Sequence, residues 1–365
     1  MKREFNKFWI IVLISILVLG VILFYITRTS EKVEIDLEKC ESIEYNGENN
    51  INVVFMSEKK AAENYIESLF KFEPFGQNRN KFNFYLIKDY QPECELYKGI
   101  ALYCYSKDLV KKSGSCPNDY VVVVKELAKG VRSSAYMNVV SINSKHDDNV
   151  FAHEFGHVFA NFAEEYTPAK IPKKSKNCVK SCNKFEGKEN ECKGGCSKDS
   201  YFRSIDQGVM RTLKTNEFGS YNEYFIQKRI DESTKESSKI TGNVVMDEEK
   251  CSKESYLLVE ASLSDGKLNL GKSEEVAGCL GEGYGSYTQE IGSEKTSFNP
   301  QYVFTDFHDE ESGELSGETY ENDKSFYISL PKIKDDEEVV IKNEDDEVVS
   351  VMKKSVYWCL NPSIS

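Results

Sequence analysis

The chain has 365 residues, 40% of them apolar and 29% charged, with a formal charge of −13. That length accommodates two or three domains with more than one core, and the composition excludes collagen-like and low-complexity classes. The acidic balance argues against a nucleic-acid partner, which calls for a basic surface.

The N-terminus has its own character. Residues 8–26, "FWIIVLISILVLGVILFYI", form an uncharged apolar run, long enough as a helix to span a hydrocarbon core of roughly 30 Å. Lys2, Arg3 and Lys7 precede it, and no small-residue cleavage site follows. The expectation is a single-pass signal anchor in the cell membrane. Residues 1–7 would be a cytoplasmic tail, 27–48 a polar stalk, and the rest extracellular. Ten of the eleven cysteines lie beyond residue 90, which in an external compartment suggests disulfides. The odd total leaves one thiol unpaired or paired between chains.

Residues 51–57, "INVVFMS", read as a strand, and residues 58–72 carry helical spacing at Ala62, Tyr65, Ile66 and Leu69. Strands are predicted over 81–87, 119–127 and 135–142, with Cys94, Cys104 and Cys116 in loops between the first two. Strands and a helix ahead of a second helix point to an α/β layout over residues 49–235.

That second helix, "VFAHEFGHVFANFAEEY" over 150–166, holds two of the four histidines. At about 100° per residue, His157 projects about 40° from His153 and Glu154 about 100°, whereas Phe151, Phe155, Phe159 and Phe162 project on the far side. Asp147 or Asp148 can cap its start. Two imidazoles one turn apart can reach one zinc ion, and the glutamate beside them is placed to act as general base. The third ligand is less direct. His146 stands close before the helix and His308 lies far downstream. Glu164 returns to the histidine face, yet a straight helix would carry it about 10 Å past His157, so the chain must bend at Ala160 or Asn161. Glu164 is the favoured ligand and Glu165 the reserve.

Residues 170–200 are rich in lysine and cysteine. Cys178, Cys182, Cys192 and Cys196 could hold a structural zinc, but their spacing departs from the usual knuckle. Two antiparallel helical segments would pair Cys178 with Cys196 and Cys182 with Cys192. Lys170, Lys173, Lys174 and Lys176 read either as a contact for acidic substrate or as a solvated loop. A helix is predicted over 221–234 and a polar linker over 236–250. From 251 to 365, short β-type runs separated by turn residues suggest an all-β sandwich-like accessory domain, with "KDDEE" and "NEDDE" as solvated turns.

The stretch "HEFGHVFANFAEEY" resembles the signature of the IgA-peptidase-like zinc metalloproteases, a family similar to the metzincins, with Gly156 and Tyr166 among the agreeing positions. "INVVFMS" and "FEPFGQNRNKFNFYLI" resemble the same family's opening segments, so the resemblance spans roughly residues 50–232. It implies an α/β zincin-like catalytic domain with one catalytic zinc, His153 and His157 as ligands, Glu154 as base, Glu164 where the family has an aspartate, and Met210 in a turn beneath the metal. Ala160–Asn161 departs from the family's glycine-containing turn. Tyr166, Tyr221 and Tyr224 are candidates to support substrate or oxyanion, and "SSAYMNVVSI" is a candidate edge strand for an extended substrate. The reading is a membrane-anchored extracellular zinc endopeptidase acting on protein or peptide. An inactive zincin-like surface-binding protein and a zinc-dependent cell-wall amidase are the alternatives.

Overall fold

The structure is a computed structural model that describes residues 36–185, 192–234 and 250–353, without 265, 282, 293, 309–314 and 333–336, together with Val18. In chain order come β1 (Glu41–Glu44), β2 (Ile51–Met56), helix α1 (Lys59–Leu69), β3 (Phe82–Leu86), β4 (Glu95–Tyr97), β5 (Ala101–Tyr103), α2 (Lys107–Ser113) and β6 (Tyr120–Lys125). Then follow β7 (Ser133–Tyr136), β8 (Val139–Asn143), the histidine helix α3 (Val150–Ala160), β9 (Lys193–Cys196), β10 (Lys198–Arg203) and α4 (Ser220–Ser233). The last third is strands: β11 (Ser255–Ser264), β12 (Lys267–Ala277), β13 (Tyr287–Ile291), β14 (Glu294–Phe298), β15 (Tyr302–His308), β16 (Leu315–Glu321), β17 (Phe326–Leu330), β18 (Glu338–Lys342) and β19 (Val348–Lys353).

Eight strands form one mixed sheet in the order β1-β3-β2-β6-β8-β7-β15-β16. Its centre is parallel, β3 with β2, β2 with β6 and β6 with β8. Alternation along each strand assigns the two faces. Val53, Phe55, Phe84, Val122, Val140 and Ile142 pack against α1, α3 and α4. Val54, Met56, Tyr85, Val121, Val123 and Val139 pack instead against β11, β13, β17 and β18. The aromatic side of α3 enters the helical layer as its spacing predicts, with the rings of Phe155 and Phe159 against Phe75 and Tyr120.

This arrangement corrects the expected fold class. The described residues are mostly β, with few helices. An α/β zincin-like domain followed by a separate β-sandwich is not what they show: β15 and β16 extend the large sheet, and the remaining C-terminal strands cover its back. The physical reason is that both faces of the central strands are apolar, so each needs a cover. The predicted strand over 135–142 is a hairpin, turning at Met137 with φ 54°. Part of the expected stalk is also ordered, since β1 pairs with β3 and Cys40 is bonded to Cys116.

The membrane reading is corrected as well. Among the described residues no helix is long and apolar enough to cross a membrane, and residues 8–26 lie outside them apart from Val18. A single-pass anchor, the membrane as partner and the cell-surface localisation built on it are therefore not carried further. The linker over 236–250 falls almost wholly outside the described residues, as does Cys359.

Five disulfides join the other cysteines: 40 with 116, 94 with 104, 178 with 196, 182 with 192 and 251 with 279. The nested pairs of the insert match the expectation, but not on helices. Cys182 opens a short 3₁₀ turn and Cys196 ends β9. Three of the four lysines of the run make ion pairs with the C-terminal strands and turns: Lys170 with Glu321, Lys173 with Glu344 and Asp345, and Lys174 with Asp346.

Candidate metal centre

His153 and His157 leave α3 on one side, their ring centroids 4.8 Å apart. Each is oriented by a backbone carbonyl. His153 Nδ1 lies 2.9 Å from Val209 O, and His157 Nδ1 lies 2.8 Å from Phe162 O. A carbonyl only accepts, so each Nδ1 carries the proton and each Nε2 turns a lone pair inward. The two Nε2 atoms stand 3.2 Å apart. The Phe304 ring stacks on His157 with centroids 4.0 Å apart, which fixes the imidazole plane.

The helix ends where the third ligand requires it. Asn161 takes φ 54° and ψ 38°, the left-handed conformation usually given to glycine. Asparagine tolerates it better than other side chains. Here Asn161 is held by its Nδ2 donating to Lys173 O and by its Oδ1 accepting from Asn299 Nδ2. The turned chain brings Glu164 Oε1 to 3.0 Å from His157 Nε2 and Glu164 Oε2 to 3.5 Å from His153 Nε2. Ser197 Oγ donates to Glu164 O at 2.6 Å, so the disulfide-bonded insert fixes this backbone.

Asp306 completes the group from β15. Its Oδ2 is 3.3 Å from His153 Nε2 and 3.8 Å from His157 Nε2. Tyr166 Oη donates to its Oδ1 at 2.6 Å. His153, His157, Glu164 and Asp306 each offer one ligand atom, all within 4.8 Å of one another, and the four side chains are fully buried. They could hold a metal ion.

Two tests on the side chains agree with that. Bonds of about 2.0–2.2 Å in a tetrahedral site put neighbouring ligand atoms about 3.3–3.6 Å apart, and the spacings that involve a histidine Nε2 run from 3.0 to 3.8 Å. Both oxygens of Glu164, Asp306 Oδ2 and both oxygens of Glu154 are buried with no hydrogen-bond partner. Unpaired buried carboxylates are costly, and a divalent cation among them is the natural compensation. Electrostatics say the same. Burial, then Asp306 and Glu164, push the Glu154 carboxyl well above its usual value. Burial opposes ionisation of Asp306 too, and positive charge at His153 and His157, which a metal ion on their Nε2 atoms would supply in place of protons, holds its carboxyl below the usual value.

The other sequence candidates separate cleanly. Glu165 points away from the group, accepting from Asn222 Nδ2 at 2.8 Å and Asn177 Nδ2 at 3.2 Å. Met210 is buried under α3, its sulfur 2.8 Å from where a Cβ on Gly156 would stand, and its carbonyl accepts from Glu165 N. Tyr221 packs on Phe185, and Tyr224 is 58% exposed beside Phe225, so neither joins the group. His146 lies 3.0 Å from Ser133 Oγ, also outside it. Helix α3 has Asn149 at its cap position without a side-chain cap, and Asp147 instead accepts from Asn149 N. Asp306 escaped the sequence reading. Its one signal is an acid inside an otherwise apolar strand, "YVFTDF", whose partner strand no local pattern reveals.

No protein-family model matches the chain, and no curated protein matches it.

Proposed function

We propose that the chain is a zinc-dependent endopeptidase whose metal is held by His153, His157 and Glu164, with Glu154 as general base. The observation that carries the reading is Glu154 itself. It sits on the histidine face, fully buried, with neither oxygen partnered. A site that only stabilised the fold would have no use for this acid, because it adds desolvation cost without ligating. The resemblance of "HEFGHVFANFAEEY" to the IgA-peptidase-like metalloproteases supports the same assignment.

A zinc ion held there supplies Lewis acidity for amide hydrolysis at neutral pH. The two imidazoles present their Nε2 atoms to it, and their Nδ1–H donors to backbone carbonyls keep the rings from turning. Glu154, one residue past the first histidine and with both oxygens unpaired, is placed to take a proton from the attacking water and return it to the leaving amine. The aromatic layer behind α3 keeps bulk water from the far side of the histidine helix. A second reading, a metal-stabilised protein without turnover, draws on Asp306, since four protein ligands make a closed site.

The test is metal content together with cleavage of a peptide library, in wild type and in Asp306→Ala. About one zinc per chain is expected, retained in Glu154→Gln and lost in His157→Ala. Cleavage by the Asp306→Ala protein should fall about 10²–10⁴-fold when Glu154→Gln is added. Zinc without cleavage in any of these proteins supports the second reading, and no zinc in the wild type refutes both.

A further inference from the structure

We propose that this chain folds with its own site shut: β15 occupies the sheet edge beside the metal group and inserts Asp306 as a fourth ligand, so the protein is latent until the β15–β16 pair leaves. The inference rests on the metal-peptidase reading above and specifies how that site is regulated.

The first support is topology. β7 is the first strand of the hairpin that leads into α3, and its outer edge is where an extended chain can add by main-chain pairing. That edge is already filled. Phe304, Thr305 and Asp306 pair antiparallel with Ala135, Ser134 and Ser133. A substrate strand and β15 cannot occupy it together.

The second support is ligand count. A catalytic zinc site keeps one position open for water or substrate, whereas a closed site has four protein ligands. Asp306 Oδ2 lies in the position that must be open, 3.3 Å from His153 Nε2. Glu154, the group that should meet water, is 0% exposed.

The third is the fit of the cover. A Cβ on Gly317 of β16 would stand 2.1 Å from Thr305 O and 2.6 Å from Tyr166 Oη. Only glycine at 317 lets β16 pair with β15 while Tyr166 reaches in to hold Asp306 Oδ1. Lys170 then ties the end of β16 to the insert through Glu321. Once β15 lifts, His153, His157 and Glu164 remain on α3 and the turn after it, and both the fourth position and the β7 edge become free.

The full chain loaded with cobalt(II) tests this through its visible ligand-field spectrum, with acetohydroxamate as probe, which needs the fourth metal position but not the β7 edge. The wild-type spectrum should be indifferent to the probe. Asp306→Ala should keep the cobalt, shift on adding the probe, and bind it at least about 100-fold more tightly. Asp306→Asn preserves size and the Tyr166 hydrogen bond, and should respond in the same direction if the alanine variant does not fold. Equal probe binding by wild type and variant would overturn latency. So would loss of cobalt from a folded Asp306 variant, which would make Asp306 an obligatory ligand of a permanently closed site. A wild-type chain that takes up no cobalt fails earlier, at the metal reading, and latency falls with it.

Discussion

Among single residues, Asn161 decides whether Glu164 can reach the histidines. The spacing of His153, His157 and Glu164 demands a sharp bend after the second histidine, and the chain makes it with an asparagine at φ 54°. Asn161→Ala should destabilise the protein by about 1–2 kcal/mol from the backbone alone, with a further loss from its two hydrogen bonds. Asn161→Gly should recover the backbone part only. Urea midpoints of the two variants check this, and an alanine variant more stable than the glycine one would contradict it. The bend and the two imidazoles were legible in the sequence, because helical periodicity and ligand reach are local properties. Asp306 was not legible, because it meets Tyr166 across 140 residues and only strand pairing brings it there. Glu165, the reserve ligand, illustrates the same limit. Its polar neighbours Asn177 and Asn222 come from the insert and α4, and they draw it away from the histidines.

At the scale of elements, the β15–β16 pair decides what the site can do. Gly317→Val places a side chain against Thr305 O and Tyr166 Oη. The strand pair should loosen and the protein lose about 2 kcal/mol or more, read as a lower urea midpoint with faster exchange of β15 amides. The cysteine-rich insert acts on the same site from the other side. Replacing both Cys178 and Cys196 by serine should weaken zinc binding about 10–100-fold, since that pair and Ser197 hold the Glu164 backbone. Competition against a chelator measures it. The insert's lysines also give the protein an acid sensitivity. Burial opposes ionisation of Glu344, yet Lys173 and Gln301 hold its carboxyl below the usual value. Its contribution is complete above that usual value and is lost as pH falls through the folded-state value. Lys173→Met should therefore flatten the loss of stability as pH falls below the ordinary carboxylate range. The element-level sequence reading succeeded where periodicity was strong, as in α1, α3 and most C-terminal strands. It placed β15 in a separate module because no local signal distinguishes an edge strand of one sheet from a strand of another.

At the scale of the whole molecule, a mixed sheet is covered by helices on one face and by C-terminal strands on the other, with a buried group of carboxylates and imidazoles beneath its last strands. A metal ion held by such a group would be tied to folding. Removing the ion should lower the melting temperature, because a ligand bound only by the folded state stabilises it by about 4 kcal/mol at a thousand times its dissociation constant. An unchanged melting temperature after thorough chelation would argue that no ion is held. The central claim is that His153, His157 and Glu164 hold a catalytic-type metal, and the most direct measurement is zinc stoichiometry on the purified chain beside its Glu164→Ala variant. About one zinc per wild-type chain is expected, with loss or marked weakening in the variant. Absence of zinc from the wild type after zinc is supplied, or full retention by the variant, would contradict it.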